Sequence, residues 1–399
     1  MEMNRETEHA GEKRPLELYI HIPFCEKKCD YCDFLSAPAG EAVRRAYVAQ
    51  LIEEIRAEGQ VLPDCRLTSI FIGGGTPSAL SGLQIFNMLS AVYESFAVDS
   101  GAEITIECNP GTLNETKLSY YREAGINRVS LGLQSTDNEE LRLLGRIHSY
   151  EDFLHSYELV RAAGFRNVNI DLMSALPGQT PESWRAGLKK VLMLRPEHIS
   201  AYSLILEEGT PFYQRYALGE GQAMLPDEDA EREMYADTQR MLAAQGYQRY
   251  EISNYARPGC ACRHNIGYWT GAEYLGVGLG ASSLILNHRY HSETELQSYL
   301  HVRMHEDLTP LYQDLEALSP EDRMEEFMYL GLRMMEGVSG AEFYERFGQN
   351  MFTVFEAAIR KNLVLKLIEQ KGSQIRLTER GIDVSNRVFA DFYHAIPRR

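Results

Sequence analysis

Residues 16–32 read LELYIHIPFCEKKCDYC, an apolar run rich in β-branched residues that ends just before Cys25, Cys29 and Cys32. The apolar part predicts a buried strand. Three thiolates at the spacing C-x3-C-x2-C can hold three corners of a cubane [4Fe-4S] cluster and leave the fourth iron open to a ligand. A zinc site with three thiolates is the alternative, and it needs a fourth ligand, for which His21 is the only nearby candidate.

Six apolar runs of this kind alternate with amphipathic helical stretches: Leu16–Ile22, Leu67–Ile72, Glu103–Cys108, Arg128–Leu133, Val168–Met173 and His198–Ile205. The first helix, predicted over about 41–59, repeats apolar residues every four positions from Val43 to Ile55. Such alternation predicts an α/β protein with a parallel sheet, either a partial (β/α)6 barrel of the TIM type or an open doubly wound sheet. Polar residues at five strand ends favour the barrel, because they would converge on one mouth: Cys25, Gly73–Thr76, Glu107, Gln134 and Asp171.

The alternation stops near residue 208, and this divides the chain. We predict a polar N-terminal segment over 1–15, the barrel over 16–208, a barrel-completing extension over 209–307 and a winged-helix-like domain over 308–399. The extension contains a predicted helix over about 227–245 and a strand near 247–252. In the last part, three helical patterns precede two short strands, 364–368 and 374–377, and a final helix from Thr378.

The composition excludes several classes of protein. The chain has 399 residues, 40 Lys and Arg against 57 Asp and Glu, and a formal net charge of −17. Without a basic run to offset it, this charge repels phosphate backbones, so we expect no nucleic-acid binding. The charged N-terminus lacks the apolar core of a secretory signal, and no stretch is long and apolar enough for a membrane span. We therefore expect a soluble, cytoplasmic protein whose seven cysteines act as metal ligands or reactive groups rather than in disulfides.

A glycine-rich turn follows the second predicted strand, in the order Gly73-Gly-Gly-Thr-Pro77. Consecutive glycines allow a backbone to approach a small ligand closely. By itself the motif is equally typical of a tight turn.

These motifs together resemble the radical S-adenosylmethionine (SAM) family, whose signature is the same cysteine loop with an aromatic residue, here Tyr31, before the last cysteine. Within that family the chain is similar to the branch containing oxygen-independent coproporphyrinogen III oxidase and the HemW-type heme chaperone. The resemblance covers most of the chain and rests on these stretches: Tyr19-Ile-His-Ile-Pro-Phe-Cys25, Gly73–Pro77, Ile106-Glu-Cys-Asn-Pro110, Ser130-Leu-Gly-Leu-Gln134, Leu144-Gly-Arg-Ile-His148, Asn169-Ile-Asp-Leu-Met173, Leu176-Pro-Gly-Gln179 and Glu326-Phe-Met-Tyr-Leu-Gly-Leu-Arg333.

The resemblance implies roles for individual residues. The three cysteines would ligate the cluster, and SAM would occupy its open iron. The positions that match the branch's SAM contacts are Tyr19, Tyr31, Gly74, Gly75, Thr76, Glu107, Gln134, Arg146 and Asp171. Their chemistry agrees, since carboxylates can accept hydrogen bonds from an ammonium or from ribose, and an arginine can pair with a carboxylate. A structural salt-bridge network at the barrel rim is the alternative for Glu107, Arg146 and Asp171.

Two features separate the members of this branch. The oxidases carry a further cysteine two residues after the third ligand, where this chain has Phe34, and a longer N-terminal segment. The chain has instead His264-Asn-Ile-Gly-Tyr-Trp269, which matches the H-N-x-x-Y-W motif of the HemW type. A histidine can ligate heme iron, so His264 is the candidate heme ligand, and a hydrogen-bonded loop histidine is the alternative.

The resemblance therefore implies a heme chaperone that binds a [4Fe-4S] cluster, SAM and heme and delivers heme to acceptor proteins. An electron donor such as flavodoxin or ferredoxin would reduce the cluster. Whether the protein is an enzyme stays open: the alternatives are an anaerobic coproporphyrinogen III dehydrogenase of porphyrin biosynthesis and a related radical SAM methyltransferase. No catalytic residue is assigned.

Two further motifs carry weaker signals. Gly276-Val-Gly-Leu-Gly280 resembles a dinucleotide-binding fingerprint, but it lacks a strand-to-helix context, and we interpret it as a close-packed turn. Cys260 and Cys262 form a C-x-C pair with no assigned role.

Overall fold

The computed structural model describes residues 13–397, so most of the predicted 1–15 segment lies outside the described residues. The strands are β1 (Arg14–Ile22), β2 (Cys65–Gly74), β3 (Ala97–Cys108), β4 (Arg128–Gln134), β5 (Val168–Ser174), β6 (His198–Ser203), β7 (Gln248–Arg249), β8 (Asn254–Ala256), β9 (Tyr274–Val277), β10 (Ser282–Ile285), β11 (His288–His291), β12 (Gln313–Ala317), β13 (Val338–Ser339), β14 (Ile368–Lys371) and β15 (Gln374–Leu377).

The helices between them are α1 (Glu41–Val61), α2 (Gly82–Ser95), α3 (Glu115–Glu123), α4 (Asn138–Leu143), α5 (Tyr150–Ala162), α6 (Pro181–Leu194), α7 (Glu228–Ala243), α8 (Arg263–Thr270), α9 (Leu296–His301), α10 (Pro320–Gly331), α11 (Gly340–Phe347), α12 (Met351–Val354), α13 (Glu356–Val364), α14 (Glu379–Asp383) and α15 (Ser385–Ala390). Ser81, Ser149 and Thr180 begin α2, α5 and α6 with capping boxes, in which a side chain accepts the third backbone N–H. None of the described helices is long and apolar enough to cross a membrane.

Strands β1 to β6 lie side by side in chain order and are all parallel, which confirms the predicted α/β class with its partial barrel. The sheet continues beyond both ends of this unit. Strand β9 pairs in parallel with β1, and the antiparallel strands β10 to β12 follow it. At the other end β8 pairs antiparallel with β6. The 276–280 glycines lie where β9 ends and turns back into β10, as the turn interpretation expected.

Side chains alternate between the two faces of the barrel strands, as the pleat of a strand requires. On β1, Leu18, Ile20 and Ile22 belong to the main hydrophobic cluster under the helices. The intervening positions carry polar or aromatic residues, namely Glu17, Tyr19 and His21. The barrel interior is therefore polar, and the helices cover an apolar outer face.

One end of this interior carries a set of buried polar residues near the first residues of the strands, which we call the barrel floor: Glu17, Ser69, Glu103, Arg128, Asn169 and His198. Glu17 and Glu103 are both in register with Ser69, and Asn169 is in register with His198. Arg128 joins the two groups, because it lies close enough to Glu103 and to His198 for their charges to interact. The carboxyl ends of the same strands form the opposite end, the mouth.

The sequence patterns misplaced some local boundaries. Val43 is more than a third exposed although Tyr47, Leu51 and Ile55 of the same stripe are buried, because Val43 lies in the first turn of α1. The predicted strand near 247–252 is reduced to the two residues of β7.

The C-terminal part has its own hydrophobic cluster around α10, α11 and α13, and a small sheet in the order β13-β15-β14. The predicted strand over 364–368 was wrong in its start. Val364 ends helix α13 with 75% of its surface exposed, and the strand begins at Ile368. A helix end and a strand start both carry isolated apolar residues, and periodicity does not separate them over so short a run.

Candidate functional site

The cysteine loop is held at the mouth by backbone hydrogen bonds to three other segments. The Thr76 amide of the glycine turn donates to the Phe24 carbonyl at 2.7 Å, and the Asp30 amide donates to the Leu144 carbonyl at 3.1 Å. The Phe212 amide donates in turn to the Asp30 carbonyl at 3.0 Å. A loop fixed in this way presents its thiols in a defined arrangement rather than as a flexible tail.

The three predicted cluster ligands are free thiols, and one of them contacts a predicted SAM residue. Arg146 places its Nη1 3.6 Å from the Sγ of Cys29, while its Nη2 donates to Asn109 Oδ1 at 2.9 Å. The Nε of Arg146 is buried and has no hydrogen-bond partner within residues 13–397. A partly buried, incompletely paired guanidinium beside thiols fits a site that takes up an anionic group.

The zinc alternative is not favoured by the surroundings of His21. Its Nε2 donates to the Leu35 carbonyl at 2.9 Å, and its Nδ1 accepts from the Tyr19 hydroxyl at 3.0 Å, so neither nitrogen is free for a metal. Within the described chain no group of three or more His, Cys, Asp or Glu side chains is placed to hold a single metal ion. A cubane cluster does not require three ligands around one metal ion, because each of the three thiolates binds a different iron of the cluster.

The glycine turn fits against the cysteine loop so closely that side chains are excluded. Gly74 has φ +112°, and a Cβ there would lie 2.6 Å from the ring of His21. A Cβ at Gly75 would lie 2.7 Å from the Phe24 carbonyl oxygen and 2.8 Å from Ser36. The functional interpretation of the motif requires this close backbone approach.

Two half-buried carboxyl groups, those of Glu107 and Asp171, lie near one another inside the barrel. The Glu107 carboxylate accepts from the Gly74 amide at 3.2 Å, and burial together with the charge of Asp171 raises the pKa of Glu107 to about 8. Burial also raises the pKa of Asp171. Hydrogen bonds from Asn169 at 2.7 Å and from Ser130 at 3.0 Å lower this pKa, but burial has the larger effect. Two acids held in a low-dielectric site favour a cationic ligand, which would lower the cost of ionising them.

The remaining predicted SAM residues surround the same region. Gln134 ends β4 with a φ of +70°, and the register between β4 and β5 shifts just before it. Gln134 and Arg146 both approach Gly132, within 3.3 Å and 3.1 Å of where its Cβ would be. Tyr31 packs edge-on against Phe212, and Thr76 Oγ1 accepts from Asn109 at 2.8 Å. The structure therefore groups these side chains at the mouth.

Sequence reasoning missed the residues that orient this set. Asn109 contacts both Thr76 and Arg146, while Asn169 and Ser130 hold Asp171. A signal existed for Asn169, since it lies two positions before Asp171 and therefore on the same face of β5.

His264 lies at the opposite end of the barrel. It is 1% exposed, with Nδ1 2.8 Å from Ser69 Oγ and Nε2 3.1 Å from the hydroxyl of Tyr268. Its ring stacks on Phe71 at 5.2 Å, and burial followed by the charge of Arg128 lowers its pKa to about 3. In this arrangement both ring nitrogens are engaged, so ligation of heme iron by His264 requires one of these contacts to open.

Comparison with known proteins identifies two family domains in the chain and close relatives over most of its length. The Radical SAM superfamily model matches residues 19–191, and the HemN C-terminal domain model matches residues 318–384. The heme chaperone HemW of Lactococcus lactis is 37% identical over 380 residues, covering 95% of this chain and 98% of that protein. HemW of Bacillus subtilis is 36% identical over 380 residues, covering 94% and 98%.

A solved structure supports the same grouping. Coproporphyrinogen III oxidase (HemN) from Escherichia coli, described as a radical SAM enzyme, superposes with a TM-score of 0.83 at 25% identity. The superposition covers 96% of this chain and 91% of that one. The barrel and the C-terminal region are thus shared with a protein of that type.

Proposed function

The chain belongs to the HemW family of radical SAM proteins, and from this membership and the site geometry we propose that it is a cytoplasmic heme chaperone. It would bind a [4Fe-4S] cluster and SAM at the barrel mouth, bind heme and deliver it to acceptor proteins. The observation that carries the proposal is the contact of Arg146 with Cys29, in a site that also holds the half-buried acids Glu107 and Asp171.

The residues at the mouth have complementary tasks in this proposal. Cys25, Cys29 and Cys32 would hold the cluster, and Arg146 would pair with the carboxylate of SAM. Glu107 and Asp171 would accept hydrogen bonds from the ammonium group or ribose. The bound cluster would supply one-electron reducing chemistry to the sulfonium, with its electron coming from a donor such as flavodoxin or ferredoxin.

The proposed binding sites lie in different predicted regions of the chain. The barrel over 16–208 would hold the cluster and SAM, and the extension over 209–307 contains the H-N-x-x-Y-W motif. The described part of the C-terminal domain, residues 308–397, packs beside this motif through α10 and α8. Arg333, two residues beyond the end of α10, lies over the ring of Trp269, the last residue of that motif, with 4.2 Å between its Cζ and the ring centre. Heme propionates would need local cations in a chain of net charge −17, and Arg146 and Arg263 are the candidates named by position.

The direct test of the proposal is an absorbance titration of the purified protein with hemin. We expect saturable binding near one heme per chain, followed by loss of the bound heme to an apo-hemoprotein added in excess. Free hemin added to the same apo-hemoprotein calibrates the transfer step. A protein that shows no saturable binding would contradict the chaperone function.

Coproporphyrinogen III dehydrogenase is the second candidate function, favoured by the superposition with the E. coli enzyme. Against it, Phe34 stands 61% exposed where the resemblance expects a further cysteine in those enzymes. We expect no protoporphyrinogen when the reconstituted protein is incubated anaerobically with SAM, reductant and coproporphyrinogen III. Product formation would replace the chaperone proposal by the enzymatic one.

The glycine turn gives a sharper prediction about the SAM site. Gly75→Ala should weaken SAM binding at least about 10-fold, because the new methyl group would push the turn away from Phe24 and the cysteine loop. Equilibrium dialysis with labelled SAM measures the affinity. Gly101→Ala is the matched control, since a Cβ there meets nothing within 4 Å. Equal affinities of the two variants would show that the turn does not contact SAM.

A further inference from the structure

A single chain of hydrogen bonds runs through the barrel from the start of α8 to the mouth. The Cys262 amide donates to the Tyr250 hydroxyl at 3.3 Å, and this hydroxyl lies 2.9 Å from His198 Nε2. His198 Nδ1 lies 2.6 Å from Asn169 Oδ1, and Asn169 Nδ2 donates to Asp171 Oδ1 at 2.7 Å. Cys262 is the residue that immediately precedes the first turn of α8.

The direction of every bond in this chain is determined from the Asp171 end. A carboxylate only accepts, so the Asn169 amide nitrogen faces it, and the amide oxygen faces His198. His198 Nδ1 must then carry the proton, which leaves Nε2 as the acceptor for the Tyr250 hydroxyl. The Tyr250 oxygen is in turn free to accept from the Cys262 amide. No two donors or two acceptors oppose each other, so the chain favours one orientation throughout.

Three members of the hydrogen-bond chain are protected from water, and the low dielectric around them strengthens their coupling. His198 and Cys262 are fully buried, and Asn169 is nearly so. Ser130 and Ser200 add support, since Ser130 Oγ donates to Asp171 and Ser200 Oγ donates to Asn169 Oδ1 at 3.1 Å. At the other end, the Cys262 thiol and the first amides of α8 donate to Glu103. These hydrogen bonds thus connect helix α8 on the floor with the Asp171 carboxylate at the mouth.

We propose that Tyr250 and His198 are positioning residues for SAM, which hold the Asp171 carboxylate through this directed chain anchored at the start of α8. The inference rests on the proposed function, in which Asp171 contacts SAM. It gives roles to His198 and Cys262, which the motifs left without one. It also links the helix that contains the H-N-x-x-Y-W motif to the SAM site through defined contacts.

The test is a double-mutant cycle on SAM affinity, measured by equilibrium dialysis of the anaerobically reconstituted full-length protein. Tyr250→Phe keeps the ring and removes the one hydroxyl that joins Cys262 to His198. We expect it to raise the Kd for SAM roughly 3- to 10-fold in the wild-type background and less than about 2-fold in an Asp171→Ala background. Tyr121→Phe is the matched control, because the Tyr121 hydroxyl is buried and has no hydrogen-bond partner among the described residues.

The outcomes distinguish this inference from the proposed function. If Asp171→Ala leaves SAM affinity unchanged, the proposed SAM contact is wrong. If Asp171→Ala weakens SAM binding while Tyr250→Phe has no effect, or has the same effect in both backgrounds, the positioning role is overturned.

A second pair of variants covers the case in which Tyr250→Phe does not fold. His198→Asn keeps a donor near the position of Nδ1, whereas His198→Leu fills the space without a donor. A positioning role predicts that the asparagine variant binds SAM more tightly than the leucine variant. A purely packing role predicts the reverse order, and that result would overturn the inference.

Discussion

Cys29→Ala protein, reconstituted anaerobically with iron and sulfide, is expected to lose the broad brown absorbance of the [4Fe-4S] cluster. The substitution removes one of the three thiolates of the loop, and the loop has no further cysteine to replace it. Wild-type protein should contain about four irons and four sulfides per chain, and the variant well under half of that. Iron and sulfide analysis with the visible spectrum measures the difference.

Cys260→Ala is the matched control for this experiment. Cys260 is also a free, partly buried thiol, but it lies in the loop before α8 rather than at the mouth. Its removal should leave the iron content unchanged. A full cluster in the Cys29 variant, or a loss of iron in the Cys260 variant, would contradict the assignment of the ligands.

The mouth of the barrel was predictable because its residues follow from local rules. Each of the six parallel strands appears in the sequence as an apolar β-branched run, and in a parallel barrel the strand ends must meet. The cysteine loop, the glycine turn, Glu107, Gln134 and Asp171 all lie within a few residues of such ends. Their grouping in space therefore needed only the strand order, which here is the chain order.

The floor of the barrel could not be predicted in the same way. The contact between His264 and Ser69 joins positions 195 residues apart, and strand β9 returns to pair with β1 after a similarly long interval. No periodicity in a local window encodes such a return. The sequence does show polar residues at every second strand position. Only the packing of α8 against the floor explains why Glu17, Arg128 and His198 are buried, and the sequence does not predict that packing.

The position of α8 changes how its motif is interpreted. Sequence chemistry left two readings of His264, an iron ligand and a hydrogen-bonded histidine, and the structure places the ring in hydrogen bonds on the floor. The two roles are compatible only if one of these hydrogen bonds opens. Stability measurements on His264 variants are therefore needed beside any measurement of heme binding.

His264→Ala is expected to lower the free energy of unfolding by about 2–4 kcal/mol at pH 7.5, because it removes a buried ring together with its hydrogen bonds to two hydroxyl groups. These are the hydroxyls of Ser69 and Tyr268, and the lost ring also stacks on Phe71. Urea unfolding of the cluster-free protein measures the change. His155→Ala on the exposed surface of α5 is the control, and it should alter stability by less than about 0.5 kcal/mol.

The pH dependence of this difference identifies its cause. Burial lowers the pKa of His264 to about 3 in the folded protein, whereas the unfolded chain takes up the proton near pH 6.5. Between these two pH values the unfolded state binds more protons than the folded state, so the free energy of unfolding of the wild type falls as the pH falls. The alanine variant has no imidazole to protonate and does not lose this stability. The stability gap between the two proteins should therefore be largest above about pH 7 and narrow steadily toward pH 5. A stability difference that stays constant or widens on acidification would mean that the His264 ring is not held neutral on the floor. In that case the imidazole would be accessible, and a hemin titration in the same buffers would test whether it ligates heme iron.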